Sequence, residues 1–335
     1  MTYYEAQLEA ESAFAQAGVP DADIDARLLL MHVSGLDSAG LLTERNSPIS
    51  GDILDRYRRL AARRCRREPL QYILGTWEFM GLEFEVDPSC LIPRQDTELL
   101  VLKAYETCKA LSRAFLREDC GMNDPSGNTS QGYDFRILDI CTGSGCVVIS
   151  LAKLILREMA DEVQMGASNP LMKARAAVGI SFEFEGTDIS SDALKIASRN
   201  GARHGADIHF HRSDMFESID HEGAAYDIIT ANPPYIETEE IKKLNPELWE
   251  YEPMLALDGG ADGLVPYRVI AAEAGKHLKP DGVLLMEIGD TQGQQVKTLM
   301  ERAGFGRVLI HRDLAGLDRV VECGRYNGAG SNRGR

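Results

Sequence analysis

An asparagine followed by two prolines and a tyrosine closes the run Tyr226-Asp227-Ile228-Ile229-Thr230-Ala231-Asn232-Pro233-Pro234-Tyr235. The chemistry these residues offer is the holding of N–H groups. Asn232 carries a carbonyl acceptor and an NH2 donor on one short arm. Pro233 and Pro234 lose their backbone donors, keep their carbonyls and stiffen the chain. Tyr235 adds a flat face. Together they form a rigid set of acceptors beside an aromatic plate, suited to a planar NH2 group. A plain strand cap before a Pro-Pro turn would read the same way, so the surrounding elements decide.

A short apolar run stopped by prolines predicts a buried strand. The loop after such a strand in an open α/β sheet lies at the carboxyl edge, where ligands bind. Phe135–Ile140 predicts another strand. It runs into Cys141-Thr142-Gly143-Ser144-Gly145 and an apolar helix, Val147 to Leu156. Glycines let backbone approach a ligand closely, and a helix N-terminus offers N–H groups. Phe182–Asp188 is the next strand, and Asp188 at its end suits ribose hydroxyls; the alternative is a cap for the helix after Ile189-Ser190. Ile208–Phe210 predicts a third strand with the exit loop Ser213-Asp214-Met215-Phe216. There Asp214 would face an adenine amino edge and Met215 or Phe216 its ring. Alternating strands and helices predict a doubly wound, mostly parallel sheet. A nicotinamide dehydrogenase fits less well, because Val147 and Val148 stand where the third glycine of G-x-G-x-x-G would fall.

Residues 2–67 predict helices. Tyr4, Leu8, Phe14 and Ala15 mark one face of the first, which ends near Gly18. Asp21 can cap the second, which stops near Gly35, and Ser50 or Asp52 starts a third, Ile53 to Arg67. That third helix carries Arg56, Arg58, Arg59, Arg63, Arg64, Arg66 and Arg67. It reads as a solvated face or as a surface for an anionic partner. Gln71–Gly75 and Glu78–Phe84 predict short strands in a connector. In Leu91-Ile92-Pro93-Arg94-Gln95-Asp96-Thr97-Glu98, Asp96 or Thr97 can cap the following helix, and Arg94 reads as a substrate contact or a loop arginine paired with a carboxylate. Residues 117–134 and 157–181 read as insertions, the first polar and flexible. Glu247, Glu250 and Glu252, flanking Trp249 and Tyr251, read as a lining of the substrate entrance or as a solvated loop. Helices at Val265–Leu278 and Gln292–Ala303 and strands at Val283–Ile288, Val308–Ile310 and Arg319–Glu322 complete the pattern.

The chain has 335 residues, of which 44% are hydrophobic and 26% charged, ordinary for a soluble globular protein. A net charge of −16 disfavours a non-specific nucleic-acid binder. Seven cysteines without metal-ligand spacing favour reduced thiols and a cytoplasmic protein. The amino terminus lacks the basic and apolar regions of a signal peptide, and no apolar run reaches membrane-span length. His204, His209, His211 and His221 do not form a metal set, and no metal is expected.

Asp139 through Gly145, Asp188 and Asn232-Pro233-Pro234-Tyr235 resemble the S-adenosylmethionine-dependent methyltransferases that modify planar amino or amide nitrogens. Glu68–Gly75, Leu91–Glu98, Tyr251-Glu252-Pro253, Ala256–Gly260, Asp262-Gly263-Leu264 and Arg312–Gly316 narrow this to a resemblance to the glutamine-N5 methyltransferases of peptide chain release factors, the PrmC/HemK family, over residues 1–324. Cys141 stands where many members have the first glycine of the turn. A sister family that methylates a ribosomal-protein glutamine often has cysteine there, but Ile92–Glu98 fits the release-factor branch better.

The resemblance implies a class I fold with a Rossmann-like seven-stranded sheet. It implies a helical substrate-docking domain over 1–70, a β-hairpin connector over 71–95 and a methyltransferase domain over 96–324, before a disordered tail at 325–335. It implies S-adenosylmethionine bound by Asp139, Cys141, Thr142, Gly143, Ser144, Gly145, Asp188, Ile189, Asp214, Met215 and Asn232. The implied substrate is the glutamine of the Gly-Gly-Gln motif of class I release factors. It is met by Asn232, Pro233, Pro234, Tyr235 and Arg94, with the Asn232 oxygen and Pro233 carbonyl accepting its two N–H bonds and Tyr235 on the amide plane. Neither a membrane nor a nucleic-acid substrate is implied. Two alternatives stay open on the residues: a methyltransferase of adenine or guanine amines, and a binding module with a vestigial site.

Overall fold

Caps set the helices of the first third in the computed structural model, which describes residues 1–118, 133–164, 180–219 and 226–326. Helix α1 (Tyr3–Gln16) opens with a reciprocal capping box between Thr2 and Glu5. Helix α2 (Ala22–Ser34) ends at Gly35 in the left-handed conformation. A short α3 (Ser38–Thr43) precedes α4 (Gly51–Cys65), whose first turn is capped by Ser50. The buried stripe of α1 is Ala6, Ala10 and Phe14, while Tyr4 and Leu8, expected inside, are exposed. Small alanines one turn apart let α1 lie close on its neighbours. Leu29, Leu30 and Tyr57 complete that core, and the Tyr57 hydroxyl donates to the Ala26 carbonyl at 2.9 Å.

Gln71–Gly75, expected as a strand, is instead a single helical turn, α5 (Leu70–Leu74). Pro69 before it and Gly75 after it, at φ 78°, are helix start and stop signals. A two-stranded hairpin follows, β1 (Thr76–Phe79) and β2 (Leu82–Glu85). Its two turn residues, Met80 and Gly81, both have positive φ, as the twist of a tight hairpin requires.

A 3-10 turn, Gln95–Thr97, leads into α6 (Glu98–Glu118). Then come β3 (Tyr133–Ile140), α7 (Cys146–Gln164), β4 (Ile180–Asp188), α8 (Ser191–His204), β5 (His209–Arg212) and β6 (Tyr226–Ala231). Three single turns follow, α9 (Thr238–Ile241), α10 (Pro246–Trp249) and α11 (Met254–Leu257). The chain closes with α12 (Val265–His277), β7 (Leu278–Glu287), α13 (Gly293–Ala303), β8 (Phe305–Arg312) and β9 (Asp318–Tyr326). The seven-stranded sheet has the order β5-β4-β3-β6-β7-β9-β8. β9 runs antiparallel to both β7 and β8, and the other pairs are parallel.

Both faces of this sheet are covered, which explains why its central strands carry consecutive apolar residues. Ile137, Ile228 and Leu285 point to the side holding α6 and α7. Their chain neighbours Leu138, Ile229 and Leu284 point to the side holding α12 and α13. Side chains alternate along a strand, so each apolar pair feeds both cores.

Several expected boundaries move. Helix α6 runs to Glu118 and β3 starts at Tyr133, both inside the insertion expected at 117–134; α7 continues to Gln164 and β4 starts at Ile180, both inside that expected at 157–181; and β9 continues to Tyr326, inside the tail expected from 325. The middles of both insertions, His221 and residues 327–335 lie outside the described residues. Among the described residues no helix is long and apolar enough to cross a membrane.

The arginine-rich helix is a solvated face at Arg56, Arg58, Arg59 and Arg66, which are exposed, but not at Arg64 and Arg67. Arg64 is buried and donates to Asp25 at 2.6 Å and to Glu247 at 2.9 Å. Arg67 forks onto the same Glu247 at 2.6 and 2.5 Å. Arginines near the end of α4 thus tie the amino-terminal bundle to the loop that follows β6.

Candidate active site

Strand order reverses beside β3: β4 and β5 lie on one side, β6 and β7 on the other. A crevice opens at the carboxyl ends of the strands at such a switch point. A cavity of about 360 Å³ lies there, within the range of small-molecule sites. Its wall includes Cys141, Thr142, Gly143 and Ser144 from the exit of β3, Asp188 and Ile189 from β4, Asp214 and Met215 from β5, and Asn232 and Pro234 from β6. Arg94 and Thr97 reach it from the segment before α6.

Asp139 is not on this wall. It is buried beneath the turn, where its two oxygens accept hydroxyl protons from Thr142 at 2.6 Å and Thr230 at 2.7 Å. Burial pushes its carboxyl up to about 7, against the pull of those two hydrogen bonds. It therefore pins the exit of β3 to β6. Gly145 is also off the wall. A Cβ there would stand 2.9 Å from Ile149 and 3.2 Å from Ala197, so this glycine lets α7 seat against α8. Cys141 takes φ 56°, the left-handed conformation that a glycine adopts freely. Its sulfur lies 3.5 Å from that of Met215, which also has positive φ.

The residues present fit a nucleoside-bearing sulfonium cofactor. Asp188 takes the Gly143 N–H at 2.9 Å and the Ser190 N–H at 2.8 Å, which orients its carboxylate on the wall. Each oxygen keeps a lone pair for a ligand hydroxyl. The Ser144 hydroxyl, buried on the same wall, makes no hydrogen bond of normal geometry among the described residues. Burial pushes the thiols of Cys90 and Cys146 up to about 12 and that of Cys141 well above its ordinary value. All three line the cavity as neutral thiols, so they do not compete as thiolate nucleophiles.

Asn232 stands partly buried on the wall, and its Nδ2 donates to the Thr97 hydroxyl at 3.3 Å. Its carbonyl end is thereby left to the cavity. Tyr235 and Pro233 are not on the wall of this cavity. Pro233 is buried. The Tyr235 ring packs into the core on the α12 side, and its hydroxyl donates to Glu287 at 3.3 Å. The Tyr235 backbone carbonyl is held from behind by Gln292 at 2.9 Å. Residues after the strand turn down into the core, so the aromatic plate braces the turn.

Arg94 lines the cavity edge and pairs with Glu252. The pairing with a carboxylate read from the sequence is therefore present, at a place that borders the cavity. Glu252 is neither entrance lining nor solvated: it is 5% exposed and also accepts the Ile92 N–H. Burial pushes its carboxyl up, and Arg94 pulls it back. Met254 and Leu255, which sequence reasoning passed over, form an exposed apolar rim. Thr97 and Glu287 were also missed as site residues. The only signal for Glu287 was an acid closing an apolar strand. No group of three histidine, cysteine or acidic side chains that could hold a metal occurs among the described residues.

Comparison with known proteins agrees with this geometry. A family model described as the PrmC N-terminal domain matches residues 5–75, and one described as a methyltransferase domain matches residues 133–312. The chain is 37% identical to the release factor glutamine methyltransferase of Geobacter sulfurreducens, covering 92% of this chain and 91% of that one. It is 36% identical to the enzyme of the same name from Agrobacterium fabrum, over 94% of each, and 35% identical to that of Thermodesulfovibrio yellowstonii, over 89% and 90%. A seven-stranded sheet with its crevice at the switch point, an asparagine amide presented there and relatives matched over nearly their whole length give one conclusion: the chain belongs to the release factor glutamine methyltransferases.

Proposed function

We propose that this protein transfers a methyl group from S-adenosylmethionine to the side-chain amide nitrogen of the glutamine in the Gly-Gly-Gln motif of class I release factors. The observation that carries the reading is Asn232, fixed on the cavity wall with its NH2 on Thr97 and its carbonyl available to an incoming N–H donor.

A glutamine amide nitrogen is a poor nucleophile, because its lone pair is shared with its carbonyl. The cofactor, when bound, would supply a methyl group on a positively charged sulfur, with neutral S-adenosylhomocysteine as the leaving group; the amide nitrogen, strongly acidic once methylated, then loses one of its protons without a dedicated base. The chain then has to align and hold. The Asn232 carbonyl accepts one N–H of the substrate amide and so fixes the face that its nitrogen presents. The Pro233 carbonyl, next in the chain, accepts the second N–H. Asp188 holds ribose hydroxyls, while Asp214 and Met215 flank the base. Arg94, paired with Glu252, and the Met254–Leu255 rim border the path of the substrate loop.

The test is labelling. With methyl-labelled S-adenosylmethionine and a class I release factor, label should appear on the Gly-Gly-Gln glutamine. Asn232→Ala should lower kcat by roughly 100-fold or more, the scale of losing one positioned acceptor, while cofactor affinity changes by less than about threefold. Label on a ribosomal protein or a nucleic acid with none on a release factor would overturn the reading.

A further inference from the structure

Behind Asn232 lies a column of polar groups drawn from three distant stretches of chain. Ala231 of β6 pairs with Met286 of β7, so the next residues, Asn232 and Glu287, are neighbours at the sheet edge. Thr97 arrives from the turn before α6. Thr97 is 2% exposed and Glu287 is 1% exposed. A hydroxyl that accepts from Asn232 Nδ2 must place its own single proton elsewhere. The Glu287 carboxyl is the neighbour that can take it. The Thr97 hydroxyl is close enough to favour the charged form of Glu287, and Glu287 Oε2 is buried with no hydrogen-bond partner of normal geometry among the described residues, which leaves it open to that proton.

A primary amide has nearly the same shape at both ends, and only its neighbours decide which end faces a ligand. We propose that Glu287, acting through Thr97, sets the polarity of the Asn232 amide. As a carboxylate it draws the Thr97 proton, which keeps Asn232 Nδ2 on Thr97 and the Asn232 carbonyl in the cavity. Without that acceptor the Thr97 proton is free to point at Asn232, the amide turns over, and the cavity meets an NH2 that repels the substrate's own N–H. Glu287 and Thr97 are then positioning residues that make the site select N–H-bearing acceptors. This rests on the reading above, in which the Asn232 carbonyl meets the substrate amide.

The groups around Glu287 bear on when it is charged. Tyr235 donates to Oε1, and Tyr267 holds the Glu287 backbone carbonyl at 2.8 Å. Arg319 and Asp96 face it with opposite charge, and Cys146 lies near. Burial pushes the carboxyl up to about 7, with Thr97, Arg319 and Tyr235 pulling it down. Turnover should therefore rise with pH across neutrality.

The test uses the full chain, a class I release factor and methyl-labelled S-adenosylmethionine. Kcat, KM and cofactor affinity are measured from about pH 5.5 to about pH 8.5, and melting temperature checks the fold. Glu287→Met, which fills the space without an acceptor, and Thr97→Val, which keeps the shape without a hydroxyl, should each lower kcat roughly 10- to 100-fold with cofactor affinity unchanged. Thr97→Ser should recover most of the loss. The rise of kcat with pH should vanish in Glu287→Met and persist in Asp139→Asn, whose carboxyl titrates in the same range. Wild-type kcat with an intact pH rise in Glu287→Met overturns the proposal, as does Thr97→Ser no better than Thr97→Val. Asn232→Ala separates the layers. If it keeps wild-type kcat, the underlying reading fails along with the proposal. If it is inactive while Glu287→Met is normal, the proposal alone fails.

Discussion

Asp139 illustrates how a motif residue can belong to the site without touching the ligand. Its place before the glycine turn suggested a cofactor contact, yet both oxygens are taken by Thr142 and Thr230. Its carboxyl sits near 7, above its ordinary 3.8, because burial penalises the charge. The folded protein therefore binds this proton more tightly than the unfolded chain. The stability it contributes is fully present below about pH 4 and is lost as pH rises through about 7. Wild-type unfolding free energy should fall more between about pH 5 and about pH 8 than that of Asp139→Asn, measured by urea titration at each pH. Equal slopes would mean that Asp139 is not the group responsible. Cys141 was legible as the odd member of the turn. Its positive φ shows that the chain keeps the glycine conformation there and places a neutral thiol against Met215.

Elements were legible where periodicity was strong. The runs at 135–140, 226–231 and 283–288 announced buried strands, because consecutive apolar residues such as Ile137-Leu138, Ile228-Ile229 and Leu284-Leu285 feed an apolar layer on each face of the sheet. The turn at Leu70–Leu74 was misread because five apolar-rich residues satisfy a strand or a helix equally well. Its flanking Pro69 and Gly75 were the better signal. Tyr235 was misread for a related reason, since nothing local says to which side of a loop a ring will fall. The loop carrying Gly259, Gly260 and Gly263 explains what holds it. A Cβ on Gly263 would stand 2.5 Å from the Tyr235 carbonyl oxygen and 2.6 Å from Gln292 Nε2, at φ 66°. Gly263→Ala should cost about 1–3 kcal/mol of stability and lower kcat more than cofactor affinity, because the turn presenting Asn232 must shift. Calorimetry and steady-state kinetics together check this, and a variant with normal kcat would show that the turn is not braced there.

Across the whole molecule the amino-terminal bundle and the catalytic sheet share one electrostatic joint. Glu247 receives Arg64 and Arg67, and burial, which would raise its carboxyl, is outweighed by their hydrogen bonds, which hold it below its usual range. Seven arginines were plain in the sequence, but the carboxylate shared by two of them, Arg64 and Arg67, lies 183 residues away from Arg64, beyond any local pattern. Glu247→Ala should destabilise the joint by roughly 1–3 kcal/mol, since it strips the half-buried Arg67 of its carboxylate while Arg64 keeps Asp25. KM for the release factor should rise while cofactor affinity holds. Limited proteolysis near residues 66–75 should accelerate, and unchanged cleavage would place the joint elsewhere. Thr97 and Asn232 are 135 residues apart, and Glu287 comes later still. Asn232 and Thr97 are both made before Glu287, which joins them only when β7 pairs with β6. The orientation of the Asn232 amide is therefore among the last features of the site to be fixed as the chain emerges.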